Sequence, residues 1–367
     1  MVCIFGILAY HTISKVRISL EDVKLISLPI VTSSSSRTIN TKTIRKFVVF
    51  ASSIHSELRS YIFYTPITAA AWQRIGYQPI VIFVGDFTDN NNASLSSQLN
   101  LTRNLLKRLG VHIIDLQCNQ SYSTKISQLV RIFTGFLPDK IVNDIDYIIT
   151  TDSDIIPMRK NDYEIKNNTN GFIYNAFCCG TFKRREKTYQ MYPMSHICLS
   201  KEIWRNLFLE SIQRKELLNS NLSSLYTDLL SDKPPFSFDT ISIYTRHEFG
   251  ILYDSNMSKG DAAWYMDQIY SSILLNDYCE KYPNITIDKI PRKSSRLDPH
   301  LPSQYWESEK LKQFGDAHII HDEIFDSYRW TIFKNLLVFL FNSSLANDFD
   351  FYYKQFVLTL RDKPEDH

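Results

Sequence analysis

The sequence contains no pair of cysteines at CxxC spacing, so it offers no zinc cluster of the finger or ribbon kind. Its six cysteines, Cys3, Cys118, Cys178, Cys179, Cys198 and Cys279, are even in number but too sparse over 367 residues for a disulfide scaffold. The adjacent pair Cys178 and Cys179 reads as buried thiols. Net charge is only +2, which excludes a strong field aimed at nucleic acid or an anionic membrane. Long apolar runs are also missing. The N-terminal MVCIFGILAY breaks at His11 and Thr12, well short of the roughly 20 residues a membrane span needs. That stretch reads either as a weak signal peptide or anchor remnant, capable of membrane association, or as an apolar tail. No internal repeat is present.

What the chain does have is apolar and aromatic bulk. Hydrophobic residues make up 44% and aromatic residues 13%, with 23 Phe and 21 Tyr. That is enough for a large packed core and argues against disorder. Asn-x-Ser/Thr sequons occur at Asn92, Asn100, Asn119, Asn167, Asn221, Asn256, Asn284 and Asn342. Richness in Asn, Ser and Thr accounts for part of the set; the excess leans towards the lumen of the endoplasmic reticulum or Golgi, with a cytoplasmic location as the alternative.

Residues 1–45, with TSSSSRTINTKT, read as a tail and stem. KFVVFASS (Lys46–Ser53) is a buried strand, and TPITAAAWQRIGYQ a helix with Thr65 as N-cap and Pro66 at its first position. PIVIFVGD and VHIIDLQC are further strands, separated by a helix bearing Leu95, Leu99, Leu106 and Leu109 on one face. STKISQLVRIFTGFLP reads as one helix, and DYIITT as the fourth strand. Strands alternating with helices imply an α/β fold with a mostly parallel central sheet, and ligands then bind outside the strands' carboxyl ends. Beyond Met158 the expected elements are strands NGFIYNAFCCGTF and MYPMSHICLS, a helix from Lys201 and an irregular stretch from Asn219 to Gly260. A helix AAWYMDQIYSSILLNDYCEKY, a short strand DAHIIHDE and a core-facing helix SYRWTIFKNLLVFLF complete the chain. The expected division is one large domain over 46–330, in halves 46–158 and 159–330, followed by a C-terminal helical tail over 331–367.

The fourth strand runs into Asp152 and Asp154, one residue apart. Two carboxylates at the end of a strand can face one hard divalent cation, with diphosphate oxygens completing its shell. Without a cation they repel. The structural alternative is a turn in which aspartate caps the next segment.

LVRIFTGFLPDKIVNDIDYIITTDSDIIPM resembles the DxD region of nucleotide-sugar glycosyltransferases of the GT-A fold. It is most similar to the retaining glycogenin-like and bacterial galactosyltransferase family, in which an Arg-containing helix ends in Leu-Pro before the strand that delivers the metal-binding aspartates. SHICLSKEIW, WYMDQIYSSILLN and HIIHDE resemble that family's later segments in the same order, over about Phe47 to Trp330. The family's HxxGxxKPW motif is absent, as is the second Asp of its Asp-Gln segment.

The resemblance implies a Rossmann-like sheet with an irregular acceptor-side part. It implies a metal site of Asp152, Asp154 and His321 holding Mn²⁺ or Mg²⁺, with Asp152 also near the ribose. Arg131 would reach the donor sugar or diphosphate, and Asp267 and Gln268 would line the sugar pocket as the catalytic pair. Ser52, Ser53 and Asp86 would hold the nucleotide, with a UDP-sugar favoured. Ser195 and His196 would meet sugar hydroxyls or sit in the sheet. His318, three residues before His321 on an expected strand, falls on the opposite face. The implied activity is transfer of a hexose to a glycan, glycoprotein or glycolipid acceptor, retaining favoured over inverting. A phosphatase of the haloacid dehalogenase type and a non-catalytic sugar-binding relative are the alternatives.

Overall fold

A computed structural model describes residues 44–88, 93–257 and 261–361. The N-terminal stretch, Cys3 and the sequon at Asn92 lie outside the described residues. The strands are β1 (Lys46–Ser53), β2 (Gln78–Gly85), β3 (His112–Gln117), β4 (Tyr147–Thr150), β5 (Ile155–Pro157) and β6 (Gly171–Tyr174). They continue as β7 (Thr181–Arg184), β8 (Lys187–Gln190), β9 (Ile197–Ser200), β10 (Ile287–Ile290), β11 (Ser295–Leu297) and β12 (Phe314–His318). The helices are α1 (Arg59–Arg74), α2 (Ala93–Arg108), α3 (Ser123–Leu129), α4 (Lys201–Leu209), α5 (Ile212–Leu218) and α6 (Phe238–Phe249). After them come α7 (Ile251–Asp254), α8 (Met266–Lys281), α9 (Ser308–Leu311), α10 (Ser327–Leu340) and α11 (Ser343–Arg361).

A seven-stranded sheet has the order β10-β6-β9-β4-β1-β2-β3. All neighbours are parallel except β9, which runs antiparallel to both β4 and β6. The carboxyl ends of β1, β2, β3, β4, β6 and β10 therefore share one edge with the start of β9. Both faces are covered. In β1, Val48 and Phe50 point into one core, with Trp72, Phe333 and Phe356, while Phe47 and Val49 point into the other, with Phe133, Trp204 and Tyr270. This period-two split of a continuous apolar run is what a strand buried on both faces requires. A three-stranded sheet, β11-β12-β5, and the β7–β8 hairpin complete the strands.

Several expectations are corrected. Helix α1 starts at Arg59, a full turn and more before Thr65, and Pro66 lies inside it. Pro66 leaves the Ile62 carbonyl without its usual backbone donor, and the Thr65 hydroxyl donates to that oxygen instead (2.8 Å). The single helix expected over Ser123–Pro138 breaks: α3 ends at Leu129 and a tighter turn covers Ile132–Phe136. Gly135 sits there because α4 passes so close that a Cβ would come within 2.2 Å of the Arg205 nitrogen. The stretch Asn219–Gly260 holds α6, capped by Ser237, whose hydroxyl accepts from the Thr240 amide. The strand expected at DAHIIHDE ends at His318. Cys178 and Cys179 are joined as a disulfide on an exposed turn rather than buried as thiols. The boundary at residue 331 falls within α10, and α10 and α11 pack Trp330, Phe333, Phe349 and Phe356 into the core with α1 and α2.

Candidate active site

Asp152 and Asp154 occupy the turn where the chain leaves β4 for β5, passing from the large sheet to the small one. The turn is anchored on both sides. The Thr151 amide extends the ladder to the Val49 carbonyl (3.0 Å), and the Ser153 carbonyl accepts from the Thr68 hydroxyl of α1 (2.5 Å). The Asp154 carbonyl accepts from the Ile319 amide (3.0 Å), which ties the segment after β12 to the same turn.

Arg131 lies two residues past the end of α3 and is buried. Its guanidinium donates to the Asp152 carboxylate, to the Thr151 carbonyl (3.0 Å) and to Asp267 Oδ2 (2.8 Å). Asp267 lies in the first turn of α8, 4% exposed, and its other oxygen accepts from the Gln268 amide (2.8 Å). Burial pushes the Asp267 carboxyl up to about 6, against the pull of Arg131 and with a further push from Asp152. Burial would lower the Arg131 pKa, but the charges of Asp152 and Asp267 outweigh it and raise it. One cation thus bridges the aspartate turn to the helix that carries the expected catalytic pair.

Asp154 is nearly buried and meets His318, with Nε2 3.2 Å from Oδ2. Burial opposes protonation of this imidazole, but the Asp154 bond and charge leave its pKa raised. The expectation that His318 lies on the far face is overturned: β12 ends at that residue, so strand alternation does not continue to His321. The His321 ring is 6.4 Å from the His318 ring, centroid to centroid, and 5.0 Å from the ring of Tyr61. Tyr61 Oη and His321 Nε2 are 3.5 Å apart. Burial first, then Asp154 and Asp152, raise the Tyr61 pKa. Tyr61 went unnoticed in the sequence because it precedes the expected start of its helix.

The other expected contacts are placed as follows. Ser52 and Ser53 are buried, and the Ser53 hydroxyl donates to Ser123 Oγ (2.8 Å). Asp86 lies at the same sheet edge, where Oδ1 accepts from the Thr88 amide and hydroxyl and from Gln117 Nε2; those bonds lower its pKa. His196 stands at this edge, directly before β9, with its amide donating to the Thr150 carbonyl (2.6 Å), but its ring is turned into the core. It is buried against Trp72, Tyr163 and Tyr174, and burial lowers its pKa to about 3.

Among the described residues no three His, Cys, Asp or Glu side chains are gathered closely enough to hold a metal ion. The donor chemistry nevertheless suits a hard or borderline divalent cation: carboxylates from Asp152 and Asp154, imidazole from His318. The Asp152 side chain is 37% exposed, which leaves it approachable from solvent.

No family model matches the chain, and no curated protein matches it. Among solved structures it is similar to a glycosyltransferase involved in the glycosylation of the major capsid of PBCV-1. The identity is 11%, the TM-score is 0.26, and the match covers 65% of this chain and 92% of the other. The function is therefore argued from the site.

Proposed function

We propose that this protein is a cation-dependent glycosyltransferase of the GT-A type, taking a sugar from a nucleotide-diphosphate donor to an acceptor hydroxyl. The observation that supports it best is the cluster itself. At the end of a central strand Asp152 pairs with the buried Arg131, which also pairs with the buried Asp267 of α8, and two residues on Asp154 pairs with His318. Such sheets present ligands with the carboxyl ends of their strands.

In this reading Asp152 and Asp154, with His318 or His321, would hold Mn²⁺ or Mg²⁺, which when bound neutralises charge building on the departing diphosphate. Arg131 is a fixed charge in a water-poor site and would meet the diphosphate or the donor sugar. Asp267 and Gln268 would line the sugar and steady positive charge developing at its reacting carbon, as a retaining route requires. A UDP-sugar is the favoured donor, and a glycan, glycoprotein or glycolipid the favoured acceptor.

A non-catalytic sugar-binding role is the second reading, favoured by Arg131 already occupying Asp152. The phosphatase reading wants the aspartates after a first strand, whereas here they follow the fourth in chain order. We also propose residence in the secretory pathway, because all seven described sequon asparagines are exposed. Among the described residues no helix is long and apolar enough to cross a membrane.

The test is release of nucleoside diphosphate from a panel of nucleotide sugars with Mn²⁺. Asp154→Ala should lower turnover on the order of 10²–10³-fold with the fold intact. Wild-type turnover in that variant would sink the assignment, and binding without turnover in the wild type would favour the second reading.

A further inference from the structure

A second concavity lies away from the aspartate turn, between α8 on one side, α4 and α5 on the other, and the β7–β8 hairpin. Its volume is about 310 Å³. That is the lower end of small-molecule sites, enough for about one to two sugar rings. Tyr270, Leu274, Tyr278 and Lys281 line it at helical spacing from one face of α8. Asp277, also in its wall, stands about 15 Å along the helix from Asp267.

The lining has two tiers. Leu207, Ile273 and Leu274 give an apolar floor. Above it, basic and acidic side chains are matched: Arg185 pairs with Glu248 (3.0 Å), Lys187 with Asp277 (2.6 Å), and Lys281 with Glu210. Lys215 and Glu280 complete four of each sign. A wall of zero formal charge does not select an ionic ligand. It does present donors and acceptors side by side, over a surface that wants an apolar partner. Gln213 adds a buried amide: its oxygen accepts from the Tyr270 hydroxyl, and its Nε2 has no hydrogen-bond partner.

We infer that this cavity is a saccharide-binding site separate from the aspartate turn, taking a neutral sugar whose hydroxyls meet the paired charges and whose C–H face lies on the leucine and isoleucine floor. A hydroxyl both donates and accepts, so it can bridge the two members of an ion pair, which a simple ion or a hydrocarbon cannot. The inference stands whether or not sugar transfer occurs at the aspartate turn.

The experiment is saturation-transfer NMR on the full chain with maltose, lactose and methyl α-mannoside, and octanol as the purely apolar probe. Wild type should bind at least one of the sugars with a millimolar Kd. Ile212→Trp, which projects from an exposed rim position into the opening, and Gln213→Leu should each weaken that binding at least about fivefold. Asp154→Ala should leave it unchanged. Binding of octanol alone, binding of no sugar, or binding insensitive to both cavity substitutions would overturn the inference. So would loss of binding in Asp154→Ala alone.

Discussion

Arg131 is the residue on which the site turns. Its side chain and that of Asp267 are 6% and 5% exposed, so the pair is a buried one. Removing one partner of such a pair strands the other charge, which costs about 3–5 kcal/mol. Arg131→Met should therefore destabilise the protein by about that much in urea titration. Adding Asp267→Asn should restore part of the loss, because the stranded carboxylate goes with it; strictly additive losses would contradict the coupling. A second residue-scale prediction concerns His196. Burial holds its folded pKa near 3, below the ordinary value of about 6.5 of an unfolded chain. The unfolded chain then binds the extra proton. The stability is intact above about pH 6.5 and falls by up to about 1.4 kcal/mol per pH unit as pH drops towards 3. His196→Phe should flatten that acid limb, and an unchanged limb in stability-versus-pH measurements would contradict it. At this scale the aspartates stood out in the sequence as an acidic pair ending an apolar strand, whereas Arg131 was singled out only by the family resemblance. It hid His318 and Tyr61, whose roles depend on where a strand stops and a helix starts.

Among elements, the first four strands were legible nearly to the residue, since β-branched and aromatic runs bounded by small polar residues have few other readings. Helix boundaries were less so. The start of α1 was masked by Pro66, which reads locally as a first-turn residue; inside the helix the Thr65 hydroxyl, donating to Ile62, replaces the bond that the proline cannot make. The tight turn after α3 was hidden too, because it packs against the distant backbone of α4. That contact yields a prediction. Gly135→Ala would drive a methyl group into the backbone at Arg205 and Trp204, which has no flexible end to yield. The expected loss is about 1–3 kcal/mol, with α3 and α4 displaced and Arg131 with them. Unchanged thermal stability and unchanged nucleotide binding would remove the argument that α4 fixes this turn.

On the scale of the whole molecule, the α/β order was readable from alternation, while the contribution of α10 and α11 to the core was not. Their burial comes from contacts with α1 and α2 more than two hundred residues earlier, such as Phe63 stacked on Tyr352 with ring centroids 5.1 Å apart. The surface carries its own prediction. If the protein enters the secretory pathway, sequons at exposed Asn100, Asn119, Asn167, Asn221, Asn256, Asn284 and Asn342 are open to glycosylation. Protein expressed with its N-terminus in eukaryotic cells should shift on a gel after endoglycosidase treatment; no shift would place it elsewhere. The central claim is a cation and diphosphate held at the aspartate turn. Calorimetric titration of UDP into the wild-type protein and Asp154→Ala, each with and without Mn²⁺, tests it most directly. The account predicts Mn²⁺-dependent binding in the wild type and its loss in Asp154→Ala at unchanged melting temperature. Equal binding by both proteins, or binding indifferent to Mn²⁺, would contradict it.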